Sequence, residues 1–149
     1  MGRGIGTCIG MIRYSLHIFN RKGIRLFHHE WVRAKNTRGT PEDPKLLFGL
    51  LYSLRSFTQK LDPKQTDSTF KSIRTETYKL HYLETPTGLR FAFVTDPGAP
   101  DLRECLRHIY ANIFVEFVSK NAQYSTGTYI NCPLFLAATN QFLTEVFPT

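Results

Sequence analysis

The chain contains 149 residues, 42% of them hydrophobic, which suits one globular domain with its own apolar core. Its three cysteines, Cys8, Cys105 and Cys132, have no spacing typical of zinc ligands or of a disulfide framework, and no apolar run is long enough to span a bilayer. The net charge of +7 is spread along the chain without an RNA-recognition or zinc-finger pattern, so a solvated surface, an acidic partner or an anionic membrane is favoured over nucleic acid.

Residues 1–10 contain four glycines and few large apolar side chains, which predicts a flexible N-terminal extension. The segment 2–6 lacks the Lys-Ser/Thr pair of a phosphate-binding loop, and Gly6 stands where a myristoylation signal requires Ser or Thr. We therefore expect two parts: an inert extension at residues 1–10 and one folded domain at residues 11–149.

Two strands are predicted next, at residues 12–18 and at about residues 24–32, because apolar and polar side chains alternate. The four residues 20–23 between them begin with Asn20 and end with Gly23, which is typical of a tight turn. His28 and His29 are adjacent on the second strand and point to opposite faces, so they cannot share a metal ion. We interpret them as half-exposed strand residues.

A long helix is predicted after the polar loop at residues 33–42, since Asp43 is a good N-cap and Pro44 suits the first helical position. A leucine stripe on this helix is suited to pack on a sheet and comprises Leu47, Leu50, Leu51, Leu54 and Leu61.

A second side of the same helix carries Phe48 and Tyr52, four residues apart, and continues to Arg55 and Gln59. One helix that covers one side of a small domain would leave both aromatics in water. We therefore predict that a partner protein covers this side, with Phe48, Tyr52, Arg55 and Gln59 as the partner-binding residues.

The middle of the chain predicts a short polar edge strand at residues 70–75 and then a hairpin. The hairpin has strands at residues 78–82 and 89–94 around Thr85-Pro86-Thr87-Gly88, which fits a type I turn. The second hairpin strand is apolar on both faces, so we place it in the centre of a sheet that is covered on both sides.

A second long helix is predicted to begin at Pro100 or Asp101. Its expected buried stripe comprises Leu102, Leu106, Ile109, Ile113 and Phe117, flanked by Tyr110, Phe114 and Val118. Cys105 lies within this pattern and is interpreted as a small core residue. A last helix is predicted at residues 133–147, with Phe135, Phe142 and Val146 on one side.

These elements predict an α+β fold with a single five-stranded, antiparallel-rich sheet, one helix on one face and two helices on the other. The five histidines fall on separate elements, the carboxylates do not pair within an apolar stretch, and no Ser or Cys has the G-x-S-x-G setting of a nucleophile. We therefore predict no catalytic residue, no cofactor site and no metal site.

The hairpin region also resembles a known family. Residues 78–82 (Tyr-Lys-Leu-His-Tyr) followed by residues 84–89 (Glu-Thr-Pro-Thr-Gly-Leu) are similar to subunit 1 of the TRAPP (trafficking protein particle) vesicle-tethering complex, and residues 14–31, 45–57 and 108–121 support the match. Members of that family typically begin their first strand near the initiator methionine, a position that corresponds to Met11 here. The extension at residues 1–10 departs from the family pattern.

The resemblance implies a longin, SNARE-like fold and the role of a non-catalytic assembly subunit. It further implies partners among the longin-type and larger core TRAPP subunits. The assembled core would act as a guanine-nucleotide exchange factor for a Rab-type GTPase in ER-to-Golgi transport. The expected location is cytoplasmic, peripheral to Golgi and endoplasmic reticulum membranes.

Two alternatives share the implied fold. A small, sigma-type subunit of a clathrin adaptor complex is similar at Met11-Ile12-Arg13 and at the turn ending in Gly23, whereas the turn at residues 84–88 and the helix at residues 45–57 resemble TRAPP. The regulatory domain of a longin SNARE would require a following coiled-coil motif and a membrane anchor. We expect neither, because the sequence ends at Thr149.

Overall fold

The computed structural model describes residues 10–31, 44–61, 72–122 and 128–147. The strands are β1 (Arg13–Phe19), β2 (Arg25–Glu30), β3 (Ser72–Arg74), β4 (Lys79–Glu84) and β5 (Arg90–Thr95). The helices are α1 (Pro44–Leu61), α2 (Arg103–His108), a π-helical segment (Ile109–Ser119) and α3 (Pro133–Val146). The predicted extension before Gly10, the loop at residues 33–42, the N-cap Asp43 and the segment 62–71 lie outside the described residues, so the predicted division at residue 10 stays a prediction.

The five strands form one antiparallel sheet in the order β2-β1-β5-β4-β3. The predicted five-stranded sheet is therefore confirmed. All six residues of the central strand β5 are buried, as expected from its apolar side chains on both faces. The short strand β3 lies at an edge, which its polar sequence also predicted.

The four-residue turns of the two hairpins have the same hydrogen-bonding pattern. The N–H of Gly23 donates to the carbonyl of Asn20 at 3.1 Å, and the N–H of Gly88 donates to the carbonyl of Thr85 at 2.9 Å. The two glycines have φ values of 87° and 91°, in the left-handed region that favours glycine. A tight turn followed by a left-handed glycine is a common three-residue hairpin connection, and it explains why glycine ends both turns.

Two apolar clusters form because alternate residues of β5 point to opposite faces of the sheet. Phe91 and Phe93 belong to the larger cluster, which includes buried residues of α2, the π-helical segment and α3. Ala92 and Val94 belong to the smaller cluster, to which α1 contributes Leu51, with Leu54 packed against it. The leucine stripe of α1 thus reaches the sheet where β5 has its smaller side chains.

The second long helix departs from the predicted periodicity. It begins as α2 and continues as a π-helix, in which each N–H bonds to the carbonyl five residues earlier; the N–H of Lys120 donates to the carbonyl of Val115 at 3.0 Å. The predicted stripe ended at Phe117, but Phe117 is only partly buried and Val118 is 1% exposed. The wider π turn moves the buried face by one residue. Cys105 is fully buried, as predicted.

The buried face of α3 also differs by one residue from the prediction. It comprises Phe135, Thr139, Leu143 and Val146. Phe142 lies beside this face and is partly buried, and its ring stacks on His108 with a centroid distance of 4.2 Å.

Two histidines are buried within the sheet. His81 Nε2 lies 2.8 Å from Thr95 Oγ1, and His17 Nε2 lies 3.1 Å from Ser15 Oγ, while neither Nδ1 atom has a hydrogen-bond partner among the described residues. Burial lowers the pKa of His81 to about 4. Burial, with smaller contributions from His28 and Arg25, lowers the pKa of His17 to about 3. Both imidazoles are therefore neutral in the folded protein near pH 7.

We predict that stability falls as the pH decreases below about 6.5, the pKa of a histidine in the unfolded chain. Because the folded pKa values are lower, the unfolded state binds more protons in this range, and the slope approaches about 1.4 kcal/mol per pH unit for each histidine. Urea unfolding followed by the fluorescence of Trp31, the single tryptophan, measures the effect between pH 7.5 and pH 5. His81→Gln retains a polar group near Thr95 and should reduce the slope; an unchanged slope would contradict the assignment.

A pair of glycine substitutions should shift stability in opposite directions. Gly88→Ala places a Cβ at φ 91° and 2.7 Å from Arg21 Nε, so we expect a loss of about 1–2 kcal/mol. Gly49→Ala adds a methyl group to α1 with no described atom within 4 Å, so we expect a gain of up to about 1 kcal/mol. Thermal unfolding of both variants tests this, and a neutral Gly88→Ala variant would show that the turn tolerates a side chain.

Candidate partner-binding surface

The outward side of α1 is the surface that the sequence indicates for partner binding. Leu51 is fully buried, whereas Tyr52 is 54% exposed and Phe57 is 61% exposed. The exposed residues Gly49 and Ser53 lie between these aromatics around the helix. With 3.6 residues per turn, Tyr52 and Phe57 are separated by about 140° around the axis, so they flank the strip of small residues.

The structure describes the side chain of one of the four predicted partner-binding residues. Tyr52 is exposed, as the prediction requires. The side chains of Phe48, Arg55 and Gln59 lie outside those that the structure describes. The assignment of all four residues to one interface therefore stays a prediction.

Phe57 is an exposed aromatic that the sequence argument missed. That argument followed the second side of the helix, where Phe48 and Tyr52 lie four residues apart. Phe57 lies on the opposite flank, five residues after Tyr52, and no i, i+4 relation connects it with either residue. The sequence did contain one indication that Phe57 is exposed. Phe57 follows the polar residue Ser53 by four positions, so the two residues share one side of the helix.

The histidines of β2 have structural contacts. The ring of His28 stacks on His17 of the neighbouring strand with a centroid distance of 4.7 Å. The ring of His29 packs edge-on against Trp31 at 4.9 Å. Burial lowers the pKa of both imidazoles. The described residues contain no group of three or more His, Cys, Asp or Glu side chains that could hold a metal ion.

None of the described helices combines the length and the apolar character that crossing a bilayer requires. The outward side of α1 presents two exposed aromatic side chains beside two small residues.

Comparisons with known proteins identify the family. A family model described as "Sybindin-like family" matches residues 13–146. The chain is 42% identical over 135 residues to trafficking protein particle complex subunit 1 of Dictyostelium discoideum, covering 89% of this chain and 95% of the relative. It is 34% identical over 104 residues to trafficking protein particle complex subunit 4 of Bos taurus, covering 70% of this chain and 47% of that relative.

The similarity to a solved structure is weaker than the similarity to these relatives. The gliding protein MglB of Thermus thermophilus is 22% identical, with a TM-score of 0.48, over 66% of this chain and 72% of that chain. The relatives at higher identity are TRAPP subunits, so the clathrin-adaptor alternative is not favoured. The chain belongs to the Sybindin-like family and has the role of a subunit of the trafficking protein particle complex.

Proposed function

We propose that the chain is a non-catalytic assembly subunit that binds a neighbouring TRAPP subunit through the outward side of α1. The assembled subunits then form part of a platform on which a Rab-type GTPase releases its nucleotide. The observation that carries the proposal is the exposure of Tyr52 and Phe57 on a helix whose opposite side is anchored by the fully buried Leu51.

The residue types on this surface suit an interface. Aromatic side chains are enriched in protein–protein interfaces and contribute much of their binding energy. Gly49 and Ser53 between them have small side chains, which lets the backbone of a neighbouring helix approach closely. Because Leu51 packs α1 on the sheet, the backbone that carries the two aromatics is positioned before binding, which lowers the entropic cost of association.

The proposed neighbour is a subunit with a related fold. Similarity between this chain and TRAPP subunit 4 extends over 70% of this chain, which supports a second subunit with the same arrangement of sheet and helices. Two related domains can pack helix against helix, each covering the exposed side of the other. Phe48, Arg55 and Gln59 are proposed to extend the contact along the same helix.

Nucleotide exchange requires no catalytic group on this subunit. An assembly that binds the nucleotide-free GTPase more tightly than the nucleotide-bound form must weaken nucleotide binding by the same factor. The contribution proposed here is contact surface. The complex is proposed to work in the cytoplasm, peripheral to the Golgi and endoplasmic reticulum membranes, in ER-to-Golgi transport.

The double substitution Tyr52→Ala with Phe57→Ala should weaken association with the other TRAPP subunits. Truncating an aromatic interface anchor often costs about 2 kcal/mol or more, whereas side chains more than half exposed contribute little to the stability of the free subunit. Co-purification of the tagged subunits and thermal unfolding of the free chain measure the two quantities. Tyr129→Ala is a matched control, since Tyr129 is 57% exposed and lies outside α1.

Retained association in the Tyr52→Ala, Phe57→Ala variant would place the interface elsewhere. Adding Phe48→Ala tests the wider predicted surface and should reduce association further. If Phe48→Ala instead unfolds the free chain, then Phe48 is a core residue of this subunit.

The isolated chain should not accelerate nucleotide release from a Rab GTPase, while the assembled subunits should. The expected difference follows from a mechanism that uses a surface built from several subunits. Release of a fluorescent guanine nucleotide from a panel of Rab GTPases measures it, with the chain alone and with co-expressed TRAPP subunits. Substantial acceleration by micromolar isolated chain would contradict the assembly mechanism.

A further inference from the structure

A groove of about 600 Å³ lies where the two hairpin turns meet the π-helical segment. Its apolar lining includes the buried Leu26 and Phe114 and the partly buried Leu89 and Tyr110. Ile24 also lines the groove and is 54% exposed. Ligand pockets in proteins commonly have volumes of roughly 300–1,000 Å³, so this groove has the size of a binding site.

The walls of the groove are connected to one another by direct contacts. The side chain of Arg21 crosses from the first turn to the second, where its Nη2 atom lies 3.4 Å from the carbonyl oxygen of Thr87. The hydroxyl of Tyr110 lies 3.3 Å from Thr87 Oγ1, and its ring packs against Phe91 and Phe114 with centroid distances of 6.0 and 5.9 Å. The two turns and the helix therefore contact one another along the walls of the groove.

The groove is positively charged at the first turn. Arg21 and Lys22 are exposed and line it, and among the described lining residues they are the only charged ones. A guanidinium has five N–H donors, so the contact with Thr87 leaves donors on Arg21 for a ligand. The lining thus combines a cationic end with an apolar wall.

We propose that this groove binds an extended segment of a partner protein in which a carboxylate lies next to bulky apolar side chains. The carboxylate would contact Arg21 and Lys22, and the apolar side chains would cover Ile24 and Leu89. Phe114 belongs to the larger apolar cluster, so this site lies on the face of the sheet opposite the cluster that contains Leu51 of α1. The inference does not rest on the proposed role of α1.

The polar part of the lining favours a peptide over a lipid. Asn20, Thr87 and Ser119 line the groove together with the apolar residues. An acyl chain would cover the side-chain NH2 group of Asn20 and the hydroxyl of Ser119 without bonding to them, which costs free energy, whereas a peptide backbone can bond to them.

Selection of short random peptides displayed on phage against the full chain tests the proposal. We expect an enriched family in which Asp or Glu lies next to two or more bulky apolar residues. Fluorescence polarisation then measures the binding of one selected peptide to Lys22→Glu and Ile24→Asp, which should each weaken binding by about tenfold or more. Leu134→Asp is the matched control, because Leu134 is 64% exposed and does not line the groove, and it should bind normally.

Exchanging the charges of the chain and the peptide shows whether a variant has lost the binding contact or its fold. The selected peptide with its acidic residues changed to lysine should bind Lys22→Glu better than it binds the natural chain. Failure to enrich an acidic and apolar family would overturn the proposal, as would peptide binding that both groove variants leave unchanged. If phosphatidylserine vesicles bind the natural chain but not Lys22→Glu, and the peptides do not bind, the groove is a lipid site and the proposal is wrong.

Discussion

The central position of β5 is the constraint on which the rest of the structure depends. Its backbone pairs with β1 on one side and β4 on the other, and all six of its side chains are buried. A strand buried on both faces requires cover on both faces of the sheet. The side chains of β5 differ between these faces: phenylalanines extend into the larger cluster, and Ala92 and Val94 into the smaller one.

Most of the fold could be predicted because its determinants are local in the sequence. The apolar run in β5 indicated its central place, and glycine as the fourth residue indicated both turns. The buried face at the end of the second long helix was wrong by one residue because the prediction assumed 3.6 residues per turn throughout. In the π-helical segment Val118 is buried and Phe117 is only partly buried, and no local sequence signal predicted this change of periodicity.

The candidate surfaces differ in how far the sequence could reveal them. Tyr52 could be identified because helical spacing separates it from the leucine stripe, while Phe57 has no apolar neighbour at i−4 to mark it. The groove could not be identified, because its residues come from two hairpins and a helix that are distant in sequence. Their meeting depends on the antiparallel pairing of β1 with β5, which places Phe19 opposite Arg90 and brings both turns to one end of the sheet.

The separation of the two proposed surfaces has a thermodynamic consequence. Gly49 and Ser53 lie on a helix that contacts one apolar cluster, and the groove is built on the other cluster, with the hydrogen-bonded sheet between them. Sites that share no contacting residues usually have additive energetic effects, so one surface can be occupied without changing the affinity of the other. A subunit of this architecture can join two neighbours through rigid contacts alone. The proposed effect on a GTPase would then arise from the geometry of the assembly.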